Sequence, residues 1–380
     1  MEPLGGRHEV KAAWLTEALR EGGHLPRGRV SAVDVSTEGI GIGYISETVR
    51  LIPTYEGADG SAPESLVAKL PVSVDFPDYL KPWAGQAVET ELHFYPEASG
   101  DCAARVPRCY GAAFEGWRSY ALLLEDLSEL ESMSQLDSGP RDRADVIVSM
   151  LGALHAQWWE SDRLRAASWL PSSERQSELN TPLVEGGWEM FAEQVVPRVD
   201  PDFLPVGERL VRDFAGIFER GAASAATLVH GDFRVENFLF GKAGTPDEVV
   251  FIDWQLSGYG SGLRDMAYFV SQGFDPSERR EVEDDLIATY HASLVANGVT
   301  GYSLAQCQED YRLGLLWSMY APIIGMMGMA EREPPPPDAP QEERQAFDEM
   351  IETGIELVTV MAERNILAVM DTKAGELLGA

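Results

Sequence analysis

Between Thr227 and Leu256 the chain sets a carboxylate, an amide and a second carboxylate at the ends of short apolar strands, and few folds accommodate that order. The tract TLVHGDFRVENFLF starts as an apolar strand ending at His230. Its loop presents Asp232, and Asn237 follows five residues later, where the chain re-enters an apolar strand, Phe238 to Phe240. Gly241 to Glu248 has turn composition, and the continuous apolar run Val249 to Ile252 then delivers Asp253 at its end. Two strands joined by a hairpin are expected to bring an amide oxygen and a carboxylate together. Hard, oxygen-seeking Mg²⁺ needs such a pair when triphosphate oxygens and water complete its octahedron. In phosphoryl transfer the protein mostly positions groups and neutralises charge, with one carboxylate accepting the hydroxyl proton. That division predicts Asp232 as the base, with Asn237 and Asp253 as metal ligands. Each piece alone also reads as an ordinary turn or a capped strand end, so the ordered set carries the chemistry.

Further elements upstream fit the same chemistry. Val30 to Val35, Tyr44 to Ile52 and Ser65 to Leu70 read as three strands, the first two joined by a segment with Gly39, Gly41 and Gly43. A loop so poor in side chains lets backbone N–H groups approach phosphate oxygens, and Ser46 closes it with a further hydroxyl. The same glycines also suit a plain hairpin. Lys69 ends the third strand in a chain with only five lysines, and a compact ammonium there suits the α- and β-phosphates. It needs a carboxylate partner, and the expected one is Glu91 in the helical stretch Ala84 to Tyr95, because Phe94 and Tyr95 would pack that helix down; a solvated helix-face charge is the other reading of Glu91. A strand at Arg105 to Ala112 and the apolar run Tyr120 to Leu124 follow. The latter leads into Glu125, Asp126 and Leu127, a short connector whose backbone at Glu125 and Leu127 is assigned to the adenine ring.

With Lys69, Glu91, the LLLEDL connector, HGDFRVEN and IDWQLSGYG followed by Arg264 and Asp265, the chain resembles the aminoglycoside phosphotransferase and choline kinase superfamily. More narrowly, VVFIDWQLSGYGSGLRDMAYF is similar to the branch of ecdysteroid-kinase-like (CHK kinase-like) proteins. The motifs run from about Gly39 to Phe269. This resemblance implies an α+β, protein-kinase-like bilobal fold, with a small N-lobe of antiparallel sheet plus helix and a larger, mostly helical C-lobe. It also implies ATP- and Mg²⁺-dependent transfer of phosphate to a hydroxyl group, with Asp232 as catalytic aspartate, Asn237 and Asp253 as Mg²⁺ ligands and Lys69 as phosphate anchor. Where protein kinases carry a DFG triplet this chain has Asp253-Trp254-Gln255, and no activation segment follows. A small-molecule acceptor is therefore expected. The alternatives are a catalytically silent kinase-like scaffold, against which the joint presence of Lys69, Asp232, Asn237 and Asp253 weighs, and a metal-dependent hydrolase, which leaves Lys69 and the glycines without a role.

Two residues near these motifs carry separate expectations. His155 sits among Leu151, Leu154 and Trp158, and is expected to be a core histidine bonded to a backbone carbonyl of the catalytic loop. Asp265 is expected either to accept backbone N–H bonds from the catalytic segment or to cap the helix over Met266 to Val270.

The 380 residues, 44% of them hydrophobic, suit two lobes, expected at 1–127 and 128–380, where apolar strand gives way to the polar stretch Glu129 to Asp142. A formal charge of -32 argues against nucleic acid, which demands a basic footprint. An acidic surface fits either steering of a cationic acceptor of the aminoglycoside or choline type, or solubility in a salty habitat. Trp158, Trp159, Trp169, Trp188, Phe191, Met190, Trp317 and Met319 suit an apolar, steroid-like alcohol if exposed, and plain helical core if not. Three cysteines in no metal-ligand pattern, and an N-terminus broken by Glu2, Arg7, His8 and Glu9, point to a reducing cytoplasm. The uncharged run Leu313 to Ala330 approaches membrane-spanning length but contains Pro322, three glycines and four methionines; it is expected to be a kinked, buried helix and not a span.

Overall fold

Side-chain alternation along one six-residue strand sorts the first third of the chain into two faces. The computed structural model describes residues 1–37, 45–73, 76–330 and 332–379. Its contacts fall into two units. The first comprises Met1–Ser132, Ser168–Leu170 and Phe238–Ser257, and the second Met133–Ala167, Pro171–Asn237 and Gly258–Ala380.

The first unit holds helix α1 (Ala12–Glu21), strands β1 (Arg29–Ser36), β2 (Ser46–Glu56) and β3 (Leu66–Pro71), helix α2 (Lys81–Glu97), and strands β4 (Cys109–Gly116) and β5 (Ser119–Glu125). The strands form one antiparallel sheet in the order β1-β2-β3-β5-β4. In β3, Leu66, Ala68 and Leu70 join Val49, Leu51, Ala121 and Leu123 in an apolar cluster with Leu15 and Leu19 of α1. With a period of two, Lys69 must project from the opposite face. Burying a leucine such as Leu15 or Leu19 stabilises by roughly 1.5–3 kcal/mol, and Thr16 Oγ1 accepts the Val30 N–H (2.9 Å), tying α1 to the sheet. Strand patterning from Val30 onward does not reveal α1, although the spacing of Leu15, Ala18 and Leu19 signals it.

The fourth strand differs from its expected span, Arg105 to Ala112. Pro107 cannot donate to a ladder, so regular pairing with β5 starts only at Cys109. The Arg105 carbonyl instead accepts the Phe251 N–H (2.9 Å). A second small sheet orders β6 (Glu131–Ser132), β8 (Phe238–Phe240) and β9 (Val249–Phe251) as β6-β8-β9, with Phe238 opposite Phe251. Whereas a single cut at 127/128 was expected, this pairing groups Phe238–Ser257 with the first unit.

The second unit is mostly helical: α3 (Ala144–Gln157), α4 (Asp162–Arg165), α5 (Ser173–Gln194), α6 (Val196–Val199), α7 (Leu204–Arg212), α8 (Phe214–Ser224), α9 (Leu263–Gly273), α10 (Pro276–Ala296), α11 (Leu304–Ser318), α12 (Tyr320–Ala330) and α13 (Gln341–Asp371), with β7 (Thr227–Val229) paired to β10 (Gly258–Gly260). Together the two units have the α+β composition of a protein-kinase-like fold: an antiparallel sheet with helices first, then a mostly helical part. Helix α9 is buried along its whole length and packs against α10, α11 and α13.

The uncharged run breaks at Met319, between α11 and α12. Pro322 has no N–H for the carbonyl four residues back, and Gln272 Nε2 fills that role by donating to Ser318 O (2.9 Å). Leu304–Ala330 is apolar and long enough to cross a membrane by composition alone, and 67% of its most apolar window is buried inside the protein. Trp158, Phe191, Trp317 and Met319 are likewise buried, as core residues.

Candidate active site

In the first unit the side chain opposite the α1 layer is gripped by two carboxylates. Lys69 Nζ lies 2.7 and 2.8 Å from the oxygens of Glu91 on α2 and 2.9 Å from Asp253 Oδ1, just past β9. Glu89 and Glu97 do not fill this role; Glu97 bonds His93 and Trp169 (2.9 and 2.8 Å). The Trp254 N–H donates to Glu91 Oε1 (3.2 Å), and the Trp254 indole stacks on Phe94 at 4.1 Å, so the residues flanking each charge also hold it. Burial alone would lower the Lys69 pKa, but Asp253 and Glu91 outweigh it and hold the ammonium charged. Glu91 is pushed upward, first by burial and partly countered by Lys69, with Asp253 adding to the push. Two carboxylates sharing one ammonium leave an excess negative charge, which suits a divalent cation at the more exposed member, Asp253, at 28% against 2% for Glu91. Asp253 also holds φ at 66°, a left-handed conformation uncommon outside glycine and concentrated at functional sites.

The remaining expected residues of this unit fall as follows. Gly41 and Gly43 lie outside the described residues. Ser46 is buried, and its Oγ lies 2.9 Å from the Tyr120 hydroxyl, which also lies 3.0 Å from the Leu70 carbonyl. Glu125 accepts from Arg105 Nη2 (2.9 and 3.0 Å) and from the Arg108 N–H (3.0 Å), while its own N–H donates to Arg108 O (2.9 Å). The Leu127 carbonyl accepts the Leu130 N–H (2.9 Å). Any backbone pairing to a purine would thus use the Glu125 carbonyl and the Leu127 N–H.

In the second unit the loop after β7 is held from below. Asp265, in the first turn of α9, has no exposed surface; its carboxylate accepts the N–H groups of His230 (2.6 Å) and Gly231 (2.9 Å). Burial alone would raise its pKa, but His155, His230 and the backbone donor together hold it below the usual carboxylate range. His155 does not bond a backbone carbonyl of the loop: its ring nitrogens meet Tyr290 Oη (2.7 Å) and Asp265 Oδ2 (3.3 Å), because α10 brings a hydroxyl to the place the carbonyl was expected to fill. Its contribution is one step removed, through Asp265.

The loop itself presents Asp232 and Asn237 together. Asn237 Nδ2 donates to Asp232 O (2.8 Å) and Oδ2 (2.9 Å), and Arg234 Nε approaches the same Oδ2 at 3.4 Å. With its NH₂ so used, Asn237 has its amide oxygen for a cation. Two tyrosines that motif spacing does not single out complete the setting. The Tyr320 hydroxyl donates to Gly231 O (2.9 Å), and burial, with the Asp232 charge adding to it, pushes the Tyr268 phenol well above its ordinary pKa. Tyr320 lies within the uncharged run Leu313 to Ala330, where no motif spacing marks it.

Close approach accounts for one glycine here. A Cβ on Gly262 would lie 2.5 Å from His155 Nδ1 and 2.9 Å from Tyr290 Oη. Gly262→Ala is therefore expected to cost about 2 kcal/mol in urea unfolding, because the buried ring has to move. An unchanged midpoint would show that the ring shifts freely.

No cluster of three or more His, Cys, Asp or Glu side chains able to hold a metal exists among the described residues.

An aminoglycoside 2′-phosphotransferase solved as its GDP complex aligns at 14% identity over 91% of this chain and 99% of its own, with a TM-score of 0.45. A choline kinase from Cryptosporidium parvum aligns at 10% identity over 90% and 91%, with a TM-score of 0.49. An ethanolamine kinase from Plasmodium vivax aligns at 12% over 87% and 81%, also at 0.49. No curated protein sequence matches the chain. Residues 43–299, about two thirds of the chain and the span that holds Lys69, Glu91, Asp232, Asn237, Asp253 and Asp265, match the ecdysteroid kinase-like family, and the chain belongs to that family.

Proposed function

We propose that this protein is an ATP- and Mg²⁺-dependent kinase that transfers a phosphoryl group to a hydroxyl of a small molecule. The observation that carries the reading is the Lys69 ammonium clasped by Glu91 and Asp253. Stripping a lysine of water and fixing it between two carboxylates is costly, and phosphate anchoring is the use that repays it.

In this reading Lys69 neutralises the α- and β-phosphates, kept in place by Glu91. The Glu125 carbonyl and the Leu127 N–H pair with the base, and the segment carrying Gly41 and Gly43 supplies backbone donors to the phosphates. Asp232, aimed by Asn237, accepts the proton of the acceptor hydroxyl as that oxygen attacks the γ-phosphorus and the bond from the γ-phosphorus to the β–γ bridging oxygen breaks, releasing ADP. Asn237 and Asp253 are the Mg²⁺ ligands. When bound, the metal neutralises charge on the phosphate oxygens. For the acceptor, an apolar alcohol of the steroid class and a cationic alcohol of the aminoglycoside or choline class both fit an acidic chain with an aromatic second unit. A membrane span and a nucleic-acid partner form no part of the proposal.

Thermal-shift titration with ATP, GTP and a non-hydrolysable ATP analogue, each with and without Mg²⁺, tests it directly. Ligand at 100 times its Kd stabilises the folded state by about 2.7 kcal/mol. A Mg²⁺-dependent rise in midpoint that disappears in Asp253→Ala is expected. No shift with any nucleotide would overturn the reading.

A further inference from the structure

Asp265 holds the first half of the loop, at His230 and Gly231, and a buried glutamine that no motif marks holds the second half. Gln135 has no exposed surface and meets the loop at two points. Its Oε1 accepts the Val235 N–H (3.1 Å), and its own backbone N–H donates to Glu236 Oε1 (3.3 Å). Val235 and Glu236 open the short 3-10 turn that ends in Asn237, whose N–H closes on the Arg234 carbonyl (2.9 Å). The other oxygen of Glu236 accepts from Arg234, and Arg234 Nε approaches Asp232 Oδ2 at 3.4 Å. Gln135 therefore bears on both Asn237 and Asp232 through their neighbours.

The amide is itself held from behind. Gln135 Nε2 donates to the Gln272 carbonyl (2.8 Å) near the C-terminal end of α9. Arg364 of α13, 3% exposed, donates through Nη1 to the carbonyls of Gln135 (2.8 Å) and Gln272 (3.1 Å), and through Nη2 to Leu136 O (3.2 Å) and Asp275 Oδ1 (2.7 Å). One guanidinium thus ties together groups that lie between 89 and 229 residues from it in sequence. Stripping water from a guanidinium and a primary amide is costly, and apolar side chains would fill the same space without that cost. What hydrogen bonds add is direction: a fully satisfied buried network fixes one arrangement where apolar packing tolerates several. Here that fixity falls on the turn that sets the interval between Asp232 and Asn237.

We propose that Gln135, braced by Arg364, is a positioning residue for phosphoryl transfer: it fixes the turn that holds the Asn237 amide oxygen in place for Mg²⁺. The assignment rests on the kinase reading above. Groups that orient a metal ligand without touching the metal are typically worth about 10- to 100-fold in metal affinity.

Binding of a non-hydrolysable ATP analogue, measured at equilibrium with and without Mg²⁺, tests the assignment. Gln135→Met keeps the length of the side chain and removes both of its side-chain hydrogen bonds. In that variant the gain in affinity conferred by Mg²⁺ is expected to shrink about tenfold, while the Mg²⁺-free affinity stays within roughly twofold of the unaltered protein. A merely structural role would lower the unfolding midpoint and leave the Mg²⁺ gain as it was. Arg364→Lys keeps the charge and loses the planar fork, and is expected to show the same selective loss in smaller measure. An undiminished Mg²⁺ gain in Gln135→Met, or in Arg364→Lys where Gln135→Met does not fold, overturns the proposal alone. An unaltered protein that binds no nucleotide overturns the kinase reading, and the proposal falls with it.

Discussion

Replacing Asp232 by Asn is expected to lower kcat by roughly 10²- to 10⁴-fold once an acceptor is in hand, while the Mg²⁺-nucleotide thermal shift persists. The amide keeps an oxygen for Asn237 Nδ2, which now bonds Oδ2 at 2.9 Å, so the loop should retain its shape. What the substitution removes is the ability to take a proton from the attacking hydroxyl. Selective loss of turnover with nucleotide binding intact therefore separates the base from the binding machinery. Turnover close to that of the unaltered protein would remove Asp232 from the base role, and loss of the nucleotide shift as well would point to a distorted loop.

The largest stability effect is expected at Asp265, which touches no reacting atom in the proposed chemistry. Asp265→Ala leaves the His230 and Gly231 N–H groups and His155 Nε2 without an acceptor in a fully buried place. An unsatisfied buried donor costs about 1–3 kcal/mol and breaking a buried charged network about 3–5 kcal/mol, so a loss of about 3–5 kcal/mol in urea unfolding at pH 7 is expected. The pH dependence has a definite sign. The folded-state pKa of Asp265 is depressed, so its contribution is present above the unfolded carboxylate value of about 3.9 and fades as pH falls through the lower folded value. The gap between the unaltered protein and Asp265→Ala should thus be constant from pH 7 to 5 and narrow below pH ~4. A gap under about 1 kcal/mol at pH 7 would mean that water replaces the carboxylate.

Much of this protein is legible in its sequence because its informative residues are held by local constraints. The apolar alternation that turns Leu66, Ala68 and Leu70 to one face forces Lys69 to the other, whatever else the chain does. The five-residue interval from Asp232 to Asn237 is short enough that their hydrogen bonds follow from the loop itself. Punctuation was less reliable where a single residue competes with a pattern. Pro107 delayed the fourth strand to Cys109. The kink expected in the uncharged run falls at Met319, where Gln272 meets the Ser318 carbonyl left without its helical donor.

Residues joined only through space were invisible in that order of letters. Tyr290 lies 135 residues from His155 and yet takes the bond expected from a carbonyl of the catalytic loop. Tyr320 reaches Gly231 across 89 residues. Neither pairing has a period or a spacing that marks it. Gln135 makes the same point most sharply: as a letter it sits in a polar stretch that reads as a connector, and only the closing of α9 and α13 over it removes its water and commits its amide to the catalytic loop. Short-range spacing settles which groups a strand or loop presents, since bond geometry acts over a few residues. Solvent exclusion is a collective property of distant segments, so which polar groups are buried, and which partners they meet there, emerges only when the chain has folded.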